Sequence, residues 1–363
     1  MRILHVVGAR PNFMKIAPVL AACGRFPALE SVLVHTGQHY DENLSRLMFE
    51  QLAIPRPDVD LEVGSGSHAR QTALVMERFE PVLLDLKPDL VVVVGDVNST
   101  LACSVTAVKL GIPVAHVEAG LRSFDRTMPE EINRIVTDAV SDLLFVSEPS
   151  GIVNLRREGV PEIKVHFVGN VMIDTLVAHR EQAAKLPILD DLGLSPGRYA
   201  VLTLHRPANV DDKASLERIL APIEELSRSC PVVFPVHPRS RAALLKAGLP
   251  AAGGGDLRLV EPLGYLEFLR LMMDARIVLT DSGGIQEETT ILGVPCVTIR
   301  DNTERPITLT QGTNLLAGTT EEGVRRAIAE ALGRERGLAS PPPLWDGRAS
   351  ERIAEILAAR AAR

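Results

Sequence analysis

The sequence predicts an α/β protein of two Rossmann-like, doubly wound domains facing across a cleft. Twelve short apolar runs rich in Val, Leu and Ile alternate with longer helical stretches. Each run is nearly continuous rather than alternating, the pattern of strands buried on both faces beneath helices. A polar, charged stretch over 180–198, carrying Pro187 and Pro196, divides the runs into two sets of six.

The first set is Arg2–Gly8, Ser31–Gly37, Asp89–Gly95, Pro113–Ala119, Asp142–Ser147 and Lys164–Gly169. The second is Tyr199–His205, Pro231–His237, Leu257–Pro262, Arg276–Thr280, Pro295–Arg300 and Asn314–Ala317. Intervening segments such as Ser99–Leu110 are long enough for the crossover helices that parallel strands require. Helices are also expected over Glu130–Val140, Ile285–Leu292 and Arg348–Ala362, the last after the stop Pro341-Pro342-Pro343. The expected domains are 1–174 and 175–347, with the final helix, 348–363, packing back on the first.

Composition narrows the class. The chain has 363 residues, 46% hydrophobic and 23% charged, the balance of a globular protein with room for two domains. Aromatics are 4%, so the cores are built from aliphatic side chains. A net charge of −7 argues against a nucleic-acid partner. Cys23, Cys103, Cys230 and Cys296 form no CxxC pair and read as small core residues. The first apolar run is too short for a signal peptide, and no stretch approaches the roughly 20 apolar residues of a membrane span. No membrane partner and a cytoplasmic location are therefore expected.

Ligands of doubly wound sheets bind outside the carboxyl ends of the strands. In the first half those ends read Gly8-Ala9-Arg10, Gly37-Gln38-His39, Gly95-Asp96, Glu118-Ala119-Gly120 and Ser147. In the second they read His205-Arg206-Pro207, His237-Pro238-Arg239, Glu261-Pro262, Asp281-Ser282-Gly283-Gly284 and Arg300-Asp301. Asp96, Glu118 and Glu130 can supply an acid and a base, and Arg10 and Lys15 can balance an anionic ligand. Equally, Asp96 can cap the next helix, Glu130 can pair with Arg134 at i, i+4, and Lys15 can be a solvated lysine.

Asp281-Ser282-Gly283-Gly284 opens a helix, whose free N–H groups and partial positive charge suit a diphosphate. In the plainer reading Ser282 is an N-cap and Asp281 a turn former. Glu288, a turn further on, can accept from two ribose hydroxyls or be a solvated helix residue. His205 and Arg206 can meet a phosphate or steer a proton. Asp58-Val59-Asp60 looks like a metal-binding DxD but reads as a loop. No His/Cys cluster, GxGxxG, G-x-S-x-G or P-loop is present, so neither metal nor cofactor is expected.

Seven segments occur in order: Gly8-Ala9-Arg10-Pro11 with Lys15, Gly95-Asp96, His116-Val117-Glu118-Ala119-Gly120-Leu121-Arg122, Pro129-Glu130-Glu131-Ile132-Asn133-Arg134, His205-Arg206, Asp281 through Glu288, and Thr303-Glu304-Arg305-Pro306. Together they resemble the non-hydrolysing UDP-N-acetylglucosamine 2-epimerases, over residues 1–320. The resemblance implies a GT-B-like fold, a UDP-sugar substrate, a homodimer, and no metal or redox cofactor. It implies elimination of UDP to a 2-acetamidoglucal, then readdition with C2 inverted.

By motif match, Asp96, Glu118 and Glu130 correspond to the family's acid/base carboxylates, and Arg10, Lys15 and His205 to its other catalytic residues. Ser282, Gly283 and Gly284, with Arg305 nearby, would hold the diphosphate, and Glu288 the ribose. Leu263 and Phe268 fall where the family holds uracil, and Arg134, Arg206 and His237 complete the expected substrate-binding set. Gln38, His39, Arg70 and Gln71 match positions that hold a second, activating nucleotide.

Two stretches, 36–41 and 65–68, resemble a branch that includes epimerases of UDP-2,3-diacetamido-2,3-dideoxy-glucuronic acid. The segment between Arg122 and Pro129 is also shorter than in the enterobacterial type. Alternatives are therefore that sugar, a hydrolysing epimerase, a glycosyltransferase, or a non-catalytic UDP-sugar-binding regulator. Three carboxylates beside an anion disfavour the regulator.

Overall fold

A computed structural model describes residues 1–38, 49–236, 241, 244, 255–337 and 340–362. The chain forms two compact units, Met1–Ala178 joined by Pro343–Arg363, and His179–Pro342. Residues 175–178 and 343–347, expected in the second domain, thus belong to the first unit.

The first unit is built on β1 (Arg2–Val7), β2 (Glu30–His35), β3 (Val59–Asp60), β4 (Leu90–Val94), β5 (Val114–Ala119), β6 (Leu143–Val146) and β7 (Val165–Phe167). They form one parallel sheet in the order β3-β2-β1-β4-β5-β6-β7. The central strand β4, Leu-Val-Val-Val-Val, is buried at every residue, and its β-branched side chains suit a pleated surface covered on both faces. Each such side chain, fully buried, is worth roughly 1.5–3 kcal/mol.

One departure lies at the sheet edge. The Asp58-Val59-Asp60 stretch, read as a loop, supplies the two-residue β3. Its acids serve the backbone: Asp58 accepts from Leu33 N–H at 2.8 Å, and Asp60 accepts from Glu62 N–H at 2.9 Å while facing His35 Nδ1 at 3.0 Å.

The second unit carries β8 (Ala200–Thr203), β9 (Val232–Pro235), β10 (Leu257–Val260), β11 (Ile277–Thr280), β12 (Cys296–Thr298) and β13 (Asn314–Leu316). These form a parallel sheet ordered β10-β9-β8-β11-β12-β13 over one aliphatic core. In each sheet the order reverses direction once, between β1 and β4 and between β8 and β11. Crevices at such reversals are where doubly wound sheets bind ligands.

The expected helices form as Asn98–Lys109, Pro129–Val140, Gly283–Leu292 and Ala349–Ala361. Pro129 stands at the first helical position, where its missing N–H costs nothing. Cys23, Cys103 and Cys296 are buried, Cys230 is half-buried, and all four are free thiols. Among the described residues, no helix is long and apolar enough to cross a membrane.

Candidate active site

At the first reversal, β1 runs into Gly8 and the helix Arg10–Cys23, and β4 runs into Gly95-Asp96. The side chain of Arg10 lies outside the described residues. Lys15, on that helix, is 5% exposed and ion-paired with Glu118, so it is not the solvated lysine of the plainer reading. Gly95 makes this possible: at φ 66° any added Cβ would sit 2.8 Å from the Lys15 ammonium.

Glu118 is delivered unusually. It has φ 74°, in the left-handed region that side chains disfavour, and the β5–β6 register slips beside it. A non-glycine residue held there costs on the order of 1–3 kcal/mol and persists where its surroundings over-determine it. Here burial and the Lys15 ammonium supply that constraint.

Asp96 is not the N-cap of the following helix; that position is Val97, which makes no side-chain bond. Its carboxylate accepts from Arg134 Nη1 at 2.5 Å, and its carbonyl from Asn133 Nδ2 at 2.8 Å. The i, i+4 pair of Glu130 with Arg134 does not form. Arg134 is buried and donates instead to Glu131 Oε2, at 3.0 Å from Nε and 2.7 Å from Nη2. Glu130 is half-buried in the first helical turn and makes no hydrogen bond or ion pair with another described residue.

Glu131 was not singled out by sequence, yet it organises this corner. Its carboxylate accepts from Ser123 N–H, Ser123 Oγ, Phe124 N–H and Arg134, all within 3.0 Å. Burial pushes its pKa up, but these donors outweigh burial and hold it below the usual value. The loop between Glu118 and Glu130 is thereby fixed, with Phe124 at φ 60° and 73% exposed.

The positions matched to a second nucleotide divide. His39 lies outside the described residues, and Arg70 is exposed. Gln38 and Gln71 are buried and turned inward. Gln38 Oε1 accepts from Ser99 N–H and Oγ at 3.1 and 2.7 Å. Gln71 Nε2 donates to the carbonyls of Gln38 and Gly64, and its Oε1 accepts from Asn98 Nδ2 at 2.8 Å. Asn98 meets Asn133 at 3.3 Å, and Asn133 holds the Asp96 carbonyl.

In the second unit the reversal between β8 and β11 brings His205 to Asp281. Asp281 is no mere turn former. It is fully buried and accepts from His205 N–H at 3.1 Å, Arg206 N–H at 2.9 Å and Asn209 Nδ2 at 3.0 Å. His205 Nδ1 lies 2.6 Å from its Oδ1. Burial raises the Asp281 pKa, but His205 and the other donors bring it below the ordinary value. A half-exposed imidazole oriented through Nδ1 by a buried carboxylate is suited to proton or phosphate work through its other nitrogen.

Ser282 caps nothing with its side chain, so the N–H groups opening Gly283–Leu292 remain available to an anion. Arg305 lies so close to Gly283 that any Cβ there would collide with it. Its guanidinium is held by Glu287 at 2.7 Å and by Glu304, and Glu304 also binds Arg300 at 2.6 Å. Arg206 Nε donates to the Asp281 carbonyl at 3.1 Å.

Glu288 is buried, not solvated, and accepts from Tyr265 Oη at 3.0 Å. Burial drives its pKa up to about 8, against the Tyr265 hydrogen bond and with help from the Glu287 charge. Leu263 and Phe268 are half-buried, just before and inside the helix Tyr265–Asp274. His237 lies outside the described residues. Tyr265 escaped the sequence reading because an aromatic at a helix start looks like core; its signal is a hydroxyl needing a partner.

The family model described as UDP-N-acetylglucosamine 2-epimerase matches residues 21–358. The chain is 41% identical to the UDP-N-acetylglucosamine 2-epimerase of Methanocaldococcus jannaschii, over 98% of this chain and 99% of that one. It is 42% identical to the UDP-2,3-diacetamido-2,3-dideoxy-D-glucuronate 2-epimerase of Pseudomonas aeruginosa, over 99% of each. The crystal structure of the M. jannaschii protein in complex with UDP-GlcNAc and UDP aligns with a TM-score of 0.92, at 42% identity over 98% of this chain and 99% of that one. The Neisseria meningitidis UDP-GlcNAc 2-epimerase bound to UDP-GlcNAc aligns at 0.89, with 29% identity over 98% and 99%.

Proposed function

The chain belongs to the UDP-N-acetylglucosamine 2-epimerase family, and we propose that it interconverts UDP-GlcNAc and UDP-ManNAc without hydrolysis. The observation that carries this is the gathering of Asp96, Glu118 and Lys15 at the reversal point of the first sheet, with Glu130 on the helix that also holds Asp96 through Arg134.

In this reading a first-unit carboxylate takes the proton from C2. That electron pair forms the C1–C2 double bond as the C1–O bond to UDP breaks, leaving a 2-acetamidoglucal. The reverse follows on the opposite face: a proton returns to C2 from a second acid, and UDP oxygen rejoins C1. Each direction conserves atoms and oxidation state, so no hydride carrier is needed. The N-terminal turn of Gly283–Leu292 and Arg305 stabilise the departing diphosphate. Glu288 takes the ribose hydroxyls, Leu263 and Phe268 flank uracil, and His205, held by Asp281, serves the phosphate or the proton.

The experiment is NMR with UDP-GlcNAc in heavy water. C2 of product, and in time of substrate, acquires deuterium; epimerisation with no solvent deuterium at C2 overturns the elimination route.

A second reading has one observation in its favour, the 42% identity to the P. aeruginosa protein over 99% of each chain. There the same chemistry acts on a diacetamido uronic acid nucleotide. Comparing kcat/KM on the two nucleotides decides between them. The reading extends to a cytoplasmic homodimer serving polysaccharide assembly, and light scattering on the purified protein tests the dimer.

A further inference from the structure

Beneath the candidate acids lies an ion cluster that the mechanism above does not use. His116, on β5, is completely buried. Its Nε2 lies 2.8 Å from the Gly95 carbonyl, and its Nδ1 lies 2.6 Å from Asp138 Oδ1. A carbonyl can only accept, so Nε2 donates. The other carboxylate oxygen of Asp138 accepts from Gly120 N–H at 3.0 Å and from Arg122 at 2.7 Å, the bonding of an ionised acid. Nδ1 therefore donates as well. Arg122 is in turn held by Glu158 at 2.8 and 2.6 Å. Two cations and two carboxylates then balance, with His116, Asp138 and Arg122 buried and Glu158 at the surface.

The cluster's position gives it a task. Gly95 precedes Asp96, Gly120 follows Glu118 by two residues, and Asp138 stands on the helix that starts with Pro129 and Glu130. One histidine–carboxylate pair thus ties together the three elements that carry the three candidate acids. We propose that His116 is a doubly protonated positioning residue that, with Asp138, sets the mutual spacing of Asp96, Glu118 and Glu130. This rests on the functional reading above for what the three acids do, but not for its own charge state.

The charge state is read from 15N-labelled histidine in the folded wild-type protein, with His116 assigned by its loss in His116→Gln. Both ring nitrogens carry protons if the proposal holds; one protonated and one bare nitrogen overturns it.

The positioning role is read from His116→Gln, which can keep the donor to Gly95 but not the charge. At saturating substrate kcat falls about 10²-fold, the penalty of misplacing reacting groups by about 1 Å, while KM and UDP affinity stay within a few-fold. Unchanged kcat overturns the role. A wild-type-like amide proton–nitrogen spectrum shows that the variant, its first unit included, is folded. Should it fail that control, Asp138→Asn is measured in the same way and read by the same two outcomes. Full turnover in Asp96→Asn defeats the functional reading instead, and leaves the nitrogen measurement to decide the charge of His116.

Discussion

The two reversal points are built alike in sheet order and oppositely in chemistry. In the first unit, acids are held by cations: Glu118 by Lys15, Asp96 and Glu131 by Arg134, and Asp138 by His116 and Arg122. In the second, the buried acid Asp281 orients a histidine, Glu287 and Glu304 hold Arg305, and a helix start is left uncapped beside that arginine. The first arrangement suits moving protons at fixed positions, and the second suits holding an anion. In the proposed function, chemistry and nucleotide recognition are separated along the chain, and that separation can be tested.

The largest effect belongs to the acids. Asp96→Asn, Glu118→Gln and Glu130→Gln each lower kcat by about 10²–10⁴-fold while UDP affinity by calorimetry moves only a few-fold. A large loss of UDP binding with normal turnover at saturation would make these residues nucleotide ligands and dissolve the contrast.

Next is the pH dependence of binding through Glu288. Its carboxyl titrates near 8 in the folded protein, so it is mostly protonated at pH 7. Ribose hydroxyls are best accepted by the ionised form. UDP affinity should therefore rise about tenfold between pH 7 and pH 9, and Glu288→Gln should abolish the slope. Stability runs the other way. The unfolded chain releases this proton near 4.5 and the folded one near 8. Between those values the folded state binds the extra proton, so this group's contribution to stability falls as pH rises. Glu288→Gln should raise the melting temperature at pH 8 and flatten its fall.

Chelation should do less. EDTA is expected to leave turnover unchanged, because protein cations and helix N–H groups are assigned the diphosphate; activity lost to EDTA and restored by a divalent ion would overturn that assignment.

The second nucleotide comes next. Arg70 is exposed, whereas Gln38 and Gln71 are spent on the interior, so a second diphosphate would engage Arg70 directly and the two glutamines through the segments they brace. With pure UDP-ManNAc a lag relieved by UDP-GlcNAc is expected, and Arg70→Ala should lengthen it. Full rate without a lag removes the activator site. The smallest measurable change is Phe124→Gly, which relieves a left-handed φ of 60° and should raise the melting temperature by a few degrees.

Much of this was legible in the sequence because buried parallel strands announce themselves as apolar runs, and all twelve expected runs contain strands. The two-residue β3 was not, since Val59-Asp60 is too short to stand out as an apolar run and joins the sheet at its edge. Candidate acids were visible as polar residues after strands, but their partners were not. Spacing alone pairs Arg134 with Glu130 on a helical surface; burial turns it to Glu131 and to Asp96, 38 residues away. Asp281 looked like a turn former because sequence cannot show that Thr280 ends beside Thr203, which sets Asp281 against His205. Nothing local marks Glu118 for a positive φ; the bulge comes from the sheet around it.

The chain leaves the first unit after Ala178 and returns to it at Pro343. Its return is well anchored: Trp345 Nε1 donates to the Ser147 carbonyl at 2.9 Å, and Asp174 accepts from the N–H groups of Ala349 and Ser350 at 3.0 and 2.6 Å. On the ribosome, therefore, the unit begun first is finished last. The final helix, which packs against Arg10–Cys23, emerges only after the whole intervening unit has been made. That intervening unit can close its own sheet earlier, and by folding it brings the two loose ends of the first unit nearer, shortening the loop that must close. Loss of the last helix should accordingly leave the second unit able to fold while the carboxylate-bearing unit stays incomplete.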